Sequence, residues 1–363
     1  MTPRDLGEVQ GATALADAPR TNPQPPLDRP RRPRAATNVA IVAVTVLFSF
    51  LAFRDVNLDE AWRALRSSDP AWLIPALVVF GLSIVARALR WRSLFARGRR
   101  PGRAVVLNAT IIGYLFNSIM PARAGEAVRV VVLAQRSTAA PAEIVGTVVL
   151  ERIYDVVTIL VIFFAVEQWL PHVSWFGTAA RVAFVLAVAI AAAVIALSVY
   201  GDRPVRFLLR PLRRLPRFSP ARVERTVEEV AYGLSGLRDG MVALEAFLWS
   251  ILAWMLSALC AYIVCLAFHL HLPFAAGVLV VVAVGLGMIL PSAPAAIGVF
   301  EGATLIALKA YHVPHSEALP YALVLHAVNF FPFVLLGALL LHYNARHPVS
   351  SRSVSAEGPP AGS

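Results

Sequence analysis

Two long apolar stretches of this chain are broken by the same short pattern, Pro121-Ala-Arg-Ala-Gly125-Glu126 and Pro294-Ala-Ala-Ile-Gly298-Val-Phe-Glu301. In both, Ala follows the Pro, Gly stands four residues after it, and a carboxylate lies just beyond. Pro stops a helix and Gly permits left-handed backbone, so the apolar runs before them, 111–120 and 278–290, read as interrupted helices. Hydrocarbon offers no partner for freed peptide groups, so such breaks are tolerated only where protein or a wet cavity covers them. Paired breaks in corresponding halves are the pattern of a transporter-type protein with its site between two inverted repeats.

Composition supports a membrane setting. Of 363 residues, 58% are hydrophobic and only 15% charged, outside the range of soluble domains. The net charge is +11, and Lys309 is the sole lysine among 33 basic residues. Because the arginines stand in loops beside apolar segments, they fit anionic headgroups on a cytoplasmic face rather than nucleic acid. Cys260 and Cys265 share one apolar segment and form neither a disulfide framework nor a zinc spacing. Walker A, HExxH, GxSxG and dinucleotide fingerprints are absent, so no cofactor or metal is expected.

The pattern predicts an all-α polytopic membrane protein with about six to eight transmembrane helices. Two re-entrant broken-helix hairpins would form a pseudo-inverted repeat. Residues 1–37 and 346–363 read as disordered tails flanking a membrane domain at 38–345. Full spans are expected at 38–53, 71–89, 143–166, 179–200, 244–268 and 319–341. The broken stretches are 104–120 with 126–135, and 273–290 with 298–311. Between the halves, 38–200 and 241–345, the polar connection 201–240 carries an N-cap pair, Ser219-Pro220, and apolar residues at helical spacing. It reads as an Arg-rich interfacial helix or a solvated connector. Arginines cluster before the first span, at 87–103 and at 201–240, while 166–178 has only Glu167 as a charge. The positive-inside rule therefore places both termini in the cytoplasm of a multi-pass cell-membrane protein. Pro121 is then entered from the cytoplasm and Pro294 from outside.

Candidate chemistry gathers at these breaks and in one span. Glu151 and Asp155 share a helical face, and Arg152 reaches Asp155 at three residues' spacing. Each charge at mid-bilayer costs roughly 2.5–3.5 kcal/mol, so the three must pair or face the interior. They form either an ion-pair lock or the wall of a polar cavity. At the first break, Asn117, Arg123, Gly125, Glu126 and Arg129 bring polar groups to a helix N-terminus, a setting suited to phosphate. Arg123 adds a planar fork that matches phosphate oxygens. The second break offers Gly298 and Glu301 but no arginine, so an anion would be held from the first half, with Arg87 and Arg90 as further candidates. Snorkelling is the alternative for those two and for Arg92. Asn329 and His326 lie on the last span; a lone histidine there is more often a packing residue than a relay.

In this order, the segments Arg87-Ala-Leu-Arg90-Trp91, Asn117-to-Arg129, Glu151-to-Asp155 and Pro294-to-Glu301 resemble one family. It is the lysylphosphatidylglycerol synthase transmembrane-region family of flippase-like integral membrane proteins, and the resemblance covers roughly residues 38–345. It implies a bundle with re-entrant helices that moves phospholipids or lipid-linked molecules between leaflets. Fused members carry a soluble aminoacyl-transferring domain after this region. Here little follows the last span, so aminoacyl transfer is not expected.

The expected function is a lipid translocase, with an anionic phospholipid or a lipid-linked glycan as partner. A membrane-embedded transferase or hydrolase using Glu126, Glu151, Asp155 and Glu301 is the alternative. A non-transporting partner of an envelope enzyme is the third.

Overall fold

The computed structural model describes residues 58–120, 123–171, 239–288 and 293–346, with isolated positions at Val185, Ala189 and Arg203. Apart from those positions, the spans expected at 38–53 and 179–200, the connection up to residue 238 and the tails at 1–37 and 347–363 lie outside the described residues, as do Pro121 and Ala122. Every regular element among the described residues is helical.

In the first half, α1 (Leu58–Ser67) is followed by α2 (Leu73–Ser93), α3 (Arg103–Ile119), α4 (Gly125–Arg136) and α5 (Pro141–Val166). The second half contains α6 (Gly240–Ala267), α7 (Phe274–Gly287), α8 (Val299–Lys309) and α9 (His315–Arg346). Local chemistry sets several boundaries. Asp239 caps α6 by accepting from the Met241 and Val242 amides. Pro141 stands in the first turn of α5, where its missing N–H is not needed. Pro320 and Pro332 lie inside α9, as membrane helices tolerate.

Among the described residues, three helical stretches are long and apolar enough to cross a membrane: Pro70–Ser93, Gly240–Ala267 and His315–Arg346. The 26 residues of α5 have the length as well, although they include Glu151, Arg152 and Asp155. By contrast, α4 has 12 residues and α8 has 11, well short of the roughly 20 a span requires. On α2, Ile74, Leu77, Val78, Leu82 and Val85 are exposed while Ser83 and Arg90 are buried. Apolar outside and polar inside suits a helix whose outer solvent is lipid.

The halves repeat one plan: a long helix, a broken pair, then another long helix. The long helices α2 and α6 form the most extensive packing among the described residues. Helix α3 packs on α9, and its counterpart α7 packs on α5. Helix α4 packs on α5, as α8 does on α9. Each broken pair thus touches the last helix of both halves, the exchange expected of an internal repeat.

The first break folds back on itself. A Cβ on Gly125 would lie 1.9 Å from the Gly113 carbonyl oxygen and 2.6 Å from Asn117 Oδ1. One on Gly113 would meet Arg129 Cβ at 2.9 Å. These opposed positions define an antiparallel α3–α4 hairpin whose backbones touch because neither glycine has a side chain.

Candidate functional site

Three elements of the first half bring their charges to one place. Midway along α5, Glu151, Arg152 and Asp155 point toward α2 and α4. The C-terminal half of α2 supplies Arg90, whose Nη2 donates to Glu151 Oε1 at 2.8 Å and whose Nη1 donates to Asp155 Oδ1 at 2.5 Å. From α4, Arg129 pairs with Glu151 Oε2 at 2.8 Å and Glu126 Oε2 at 2.5 Å. Its guanidinium lies 4.7 Å above the Trp91 ring, and Trp91 Nε1 donates to Thr147 Oγ1 at 3.0 Å. Arg152 pairs with Glu151 at 3.1 Å, Asp155 at 3.2 Å and Glu126 at 3.5 Å.

The second half closes the cluster through α6. Trp254 Nε1 donates to Asp155 Oδ1 at 3.1 Å. Arg87 stacks 4.7 Å over that indole and donates to Ser257 Oγ at 3.1 Å.

Burial divides the cluster into a sealed back and an open rim. The side chains of Arg90, Arg129 and Glu151 are 0%, 3% and 1% exposed, whereas Arg152 and Glu126 are 40% and 24% exposed. Arg123 stands nearby, within electrostatic reach of Arg152, Glu126 and Asp155. Among the described residues, five arginines, at 87, 90, 123, 129 and 152, therefore surround three carboxylates, at 126, 151 and 155. A low-dielectric setting magnifies the excess positive charge.

The two breaks meet at their tips. Arg123 has left-handed backbone (φ 55°), and its Nη2 donates to the Met288 carbonyl at the C-terminal end of α7. A cation there complements the helix dipole. In return, the 294–296 turn of the second break packs on α3.

In that turn, Ala295 and Ala296 both have φ 58°, and Gly298 has φ 83°. Glu301 holds it together: Oε2 accepts from the Gly298 amide at 2.8 Å, and Oε1 lies 2.5 Å from His326 Nδ1 on α9. His326 Nε2 lies 3.0 Å from the Ala295 carbonyl, and Phe300 stacks on the ring at 4.5 Å.

The structure brings together Arg87, Arg90, Arg123, Glu126, Arg129, Glu151, Arg152 and Asp155. Four candidates take other roles. Arg90 neither snorkels nor lies open to an anion, because two carboxylates pair with its Nη atoms in a buried site. The Asn329 amide donates to its own helix at Leu325 O, 2.8 Å away. Gly125 and Gly298 serve the backbone, one at a close approach and one at a turn. Asn117 Oδ1 is buried beside Gly125 without a hydrogen-bond partner among the described residues.

Sequence reasoning missed Gly113, Trp91, Trp254 and the pairing of His326 with Glu301. Gly113 and Arg129 flank Pro121 at equal distances, which a hairpin register would have revealed. The tryptophan contacts join distant helices and carry no local signal.

Several known proteins are similar. A glycosyltransferase, AglD, of Haloferax volcanii is 35% identical over 133 residues, 36% of this chain. The chain covers only 21% of that relative. A UPF0104 membrane protein of Methanothermobacter thermautotrophicus is 23% identical over 84% of the chain and 94% of the relative. One from Methanocaldococcus jannaschii is 25% identical over 64% of the chain and 94% of the relative. Residues 38–337 match the family described as the lysylphosphatidylglycerol synthase TM region, so the chain, an integral membrane protein, belongs to that family.

Proposed function

We propose that this protein moves a phospholipid or lipid-linked molecule between leaflets of the cell membrane, holding an anionic headgroup at the rim where the two breaks meet. The carrying observation is the charge surplus at that place: five arginines around three carboxylates, with Arg152 open to the outside of the cluster. A phosphate binds where cations exceed their internal partners and present forked donors. Arg152 and Arg123 supply those donors. Arg90, Arg129, Glu151 and Asp155 form the rigid wall that orients Arg152, and Glu126 receives polar headgroup atoms at the rim. Short α4 and α8 fit re-entrant hairpins that thin the apolar barrier from opposite faces. Binding at this depth lowers the cost of carrying a charged headgroup through hydrocarbon.

The test is movement of labelled phosphatidylglycerol in liposomes containing the purified protein. Arg152→Ala and Arg123→Ala are each expected to slow movement about tenfold, the effect of losing one charge-assisted hydrogen bond. Wild-type rates in both variants would overturn the assignment.

The name of the AglD relative supports an alternative, transfer chemistry on a lipid headgroup. Against it stands the pairing of Glu151 and Asp155 with arginines, which removes free bases from the cluster. Mass spectrometry of lipids incubated with the protein separates the two: movement leaves the mass unchanged, and transfer does not.

A further inference from the structure

The second break holds an arrangement that counting protons makes informative. His326 places both ring nitrogens against acceptors, Nδ1 at 2.5 Å from Glu301 Oε1 and Nε2 at 3.0 Å from the Ala295 carbonyl. A neutral imidazole has one N–H and so donates to only one of them. Keeping both contacts requires one further proton on the pair, held between Nδ1 and Oε1.

From this we infer that Glu301 and His326 form a proton-binding site that opens and closes the second break, so that lipid movement is linked to protonation. The inference rests on the translocase reading for its transport consequence, though not for the site itself. When the pair carries the proton, the ring donates from Nε2 to Ala295 and ties the turn to α9. When it releases that proton to water, Glu301 is ionised and the remaining N–H has two competing acceptors. A hydrogen on Nδ1 satisfies the carboxylate and leaves the Nε2 lone pair facing the Ala295 oxygen. The tie to the turn is then lost.

The turn is built to respond. Ala295 and Ala296 lie in left-handed backbone that disfavours side chains, and such a conformation persists only while neighbours hold it. The released turn is the segment packed on α3, beside the hairpin whose Arg123 reaches Met288. Proton loss at His326 therefore acts on the contact between the breaks. The ring is 13% exposed, while Glu301 is 5% exposed, so proton exchange runs through the ring.

From α8 the ring faces Glu301 and Phe300, and Lys309 lies two turns further on and is exposed. The turn contributes a carbonyl but no titratable side chain. On α3, Tyr114 packs against Phe333, two turns along α9. Arg63 and Arg66 of α1 engage their own helix at the Asp59 carbonyl and the Trp62 ring, and Arg87 of α2 engages α6.

The discriminating variant is Glu301→Gln. Its amide donates to a neutral Nδ1 while its oxygen still accepts from Gly298, so both ties persist without a labile proton. Two readouts are taken between about pH 5 and about pH 8, where histidine changes charge. In 15N-histidine NMR and hydrogen exchange, wild type is expected to lose one ring proton as pH rises, with faster exchange at Ala296 and Ile297. Glu301→Gln is expected to show neither change. In liposomes holding labelled phosphatidylglycerol, the wild-type rate is expected to vary at least about threefold over that range, and the variant's rate to stay flat.

Identical pH profiles of exchange in wild type and variant would overturn the inference, whether or not lipid moves. If exchange responds as expected but lipid does not move at any pH, the proton site stands and the translocase reading falls. If lipid moves at a rate independent of pH in wild type, the coupling is wrong and the translocase reading survives.

Discussion

Arg90 shows how a single residue fixes the character of the site. Its two carboxylate partners are nearly as buried as it is, and truncating one member of such a set leaves uncompensated charges in a low-dielectric place. Arg90→Ala is expected to destabilise the protein by about 3–5 kcal/mol, read as a lower melting temperature in detergent. Arg66, exposed and stacked 4.8 Å over Trp62 of its own helix, serves as the control, and its removal is expected to cost under about 1 kcal/mol. An equal effect of the two would deny the sealed wall. From sequence, Glu151, Arg152 and Asp155 were legible as a paired cluster because they lie within one helical turn. Their union with Arg90 was not, since 61 residues separate Arg90 from Glu151 and only the packing of α2 against α5 closes that gap.

Among the elements, the helix interruptions were the most legible because Pro and Gly act locally. The extents of the described helices match the expected stretches within a few residues, as apolar length in a membrane chain is read directly. Helix α1 was missed although Leu58, Ala61, Trp62 and Leu65 repeat at helical spacing, with Asp59 and Glu60 in its first turn and Arg66 in its last. The hairpin register was also hidden, since it depends on two glycines meeting across a turn. Gly125→Ala puts a methyl 1.9 Å from the Gly113 oxygen, so the hairpin must splay. Overpacking of this kind costs about 1–3 kcal/mol or more. Gly81→Ala, with open space around it, is expected to be harmless. Limited proteolysis in detergent reads the difference: faster cutting near residue 121 in Gly125→Ala and none in Gly81→Ala. Equal resistance would mean that the backbones are not in contact.

At the scale of the whole molecule, the internal repeat and the charge distribution make one statement about orientation. The proposed orientation puts the arginines between α2 and α3 on the cytoplasmic side and the loop between α8 and α9 outside. Cys260 and Cys265 are buried, so they do not compete for a water-soluble thiol reagent in the folded protein. In intact cells, Gly98→Cys is expected to resist a membrane-impermeant maleimide while His312→Cys is modified. Labelling of both from the same side would invert or abolish the proposed topology. With that topology, the breaks enter from opposite faces and their tips meet at Arg123 and Met288, beside the arginine-rich rim.

A photoreactive side chain placed at Ala124, on the tip of the first break, tests most directly whether that meeting point receives a lipid headgroup. Irradiation in native membranes, followed by mass spectrometry of the adducts, is expected to show phospholipid attached through its headgroup or glycerol. The same probe at Gly81, on the open surface of α2, is expected to capture acyl chains. Acyl-chain adducts alone at Ala124, or none, would contradict a polar crevice between the two breaks.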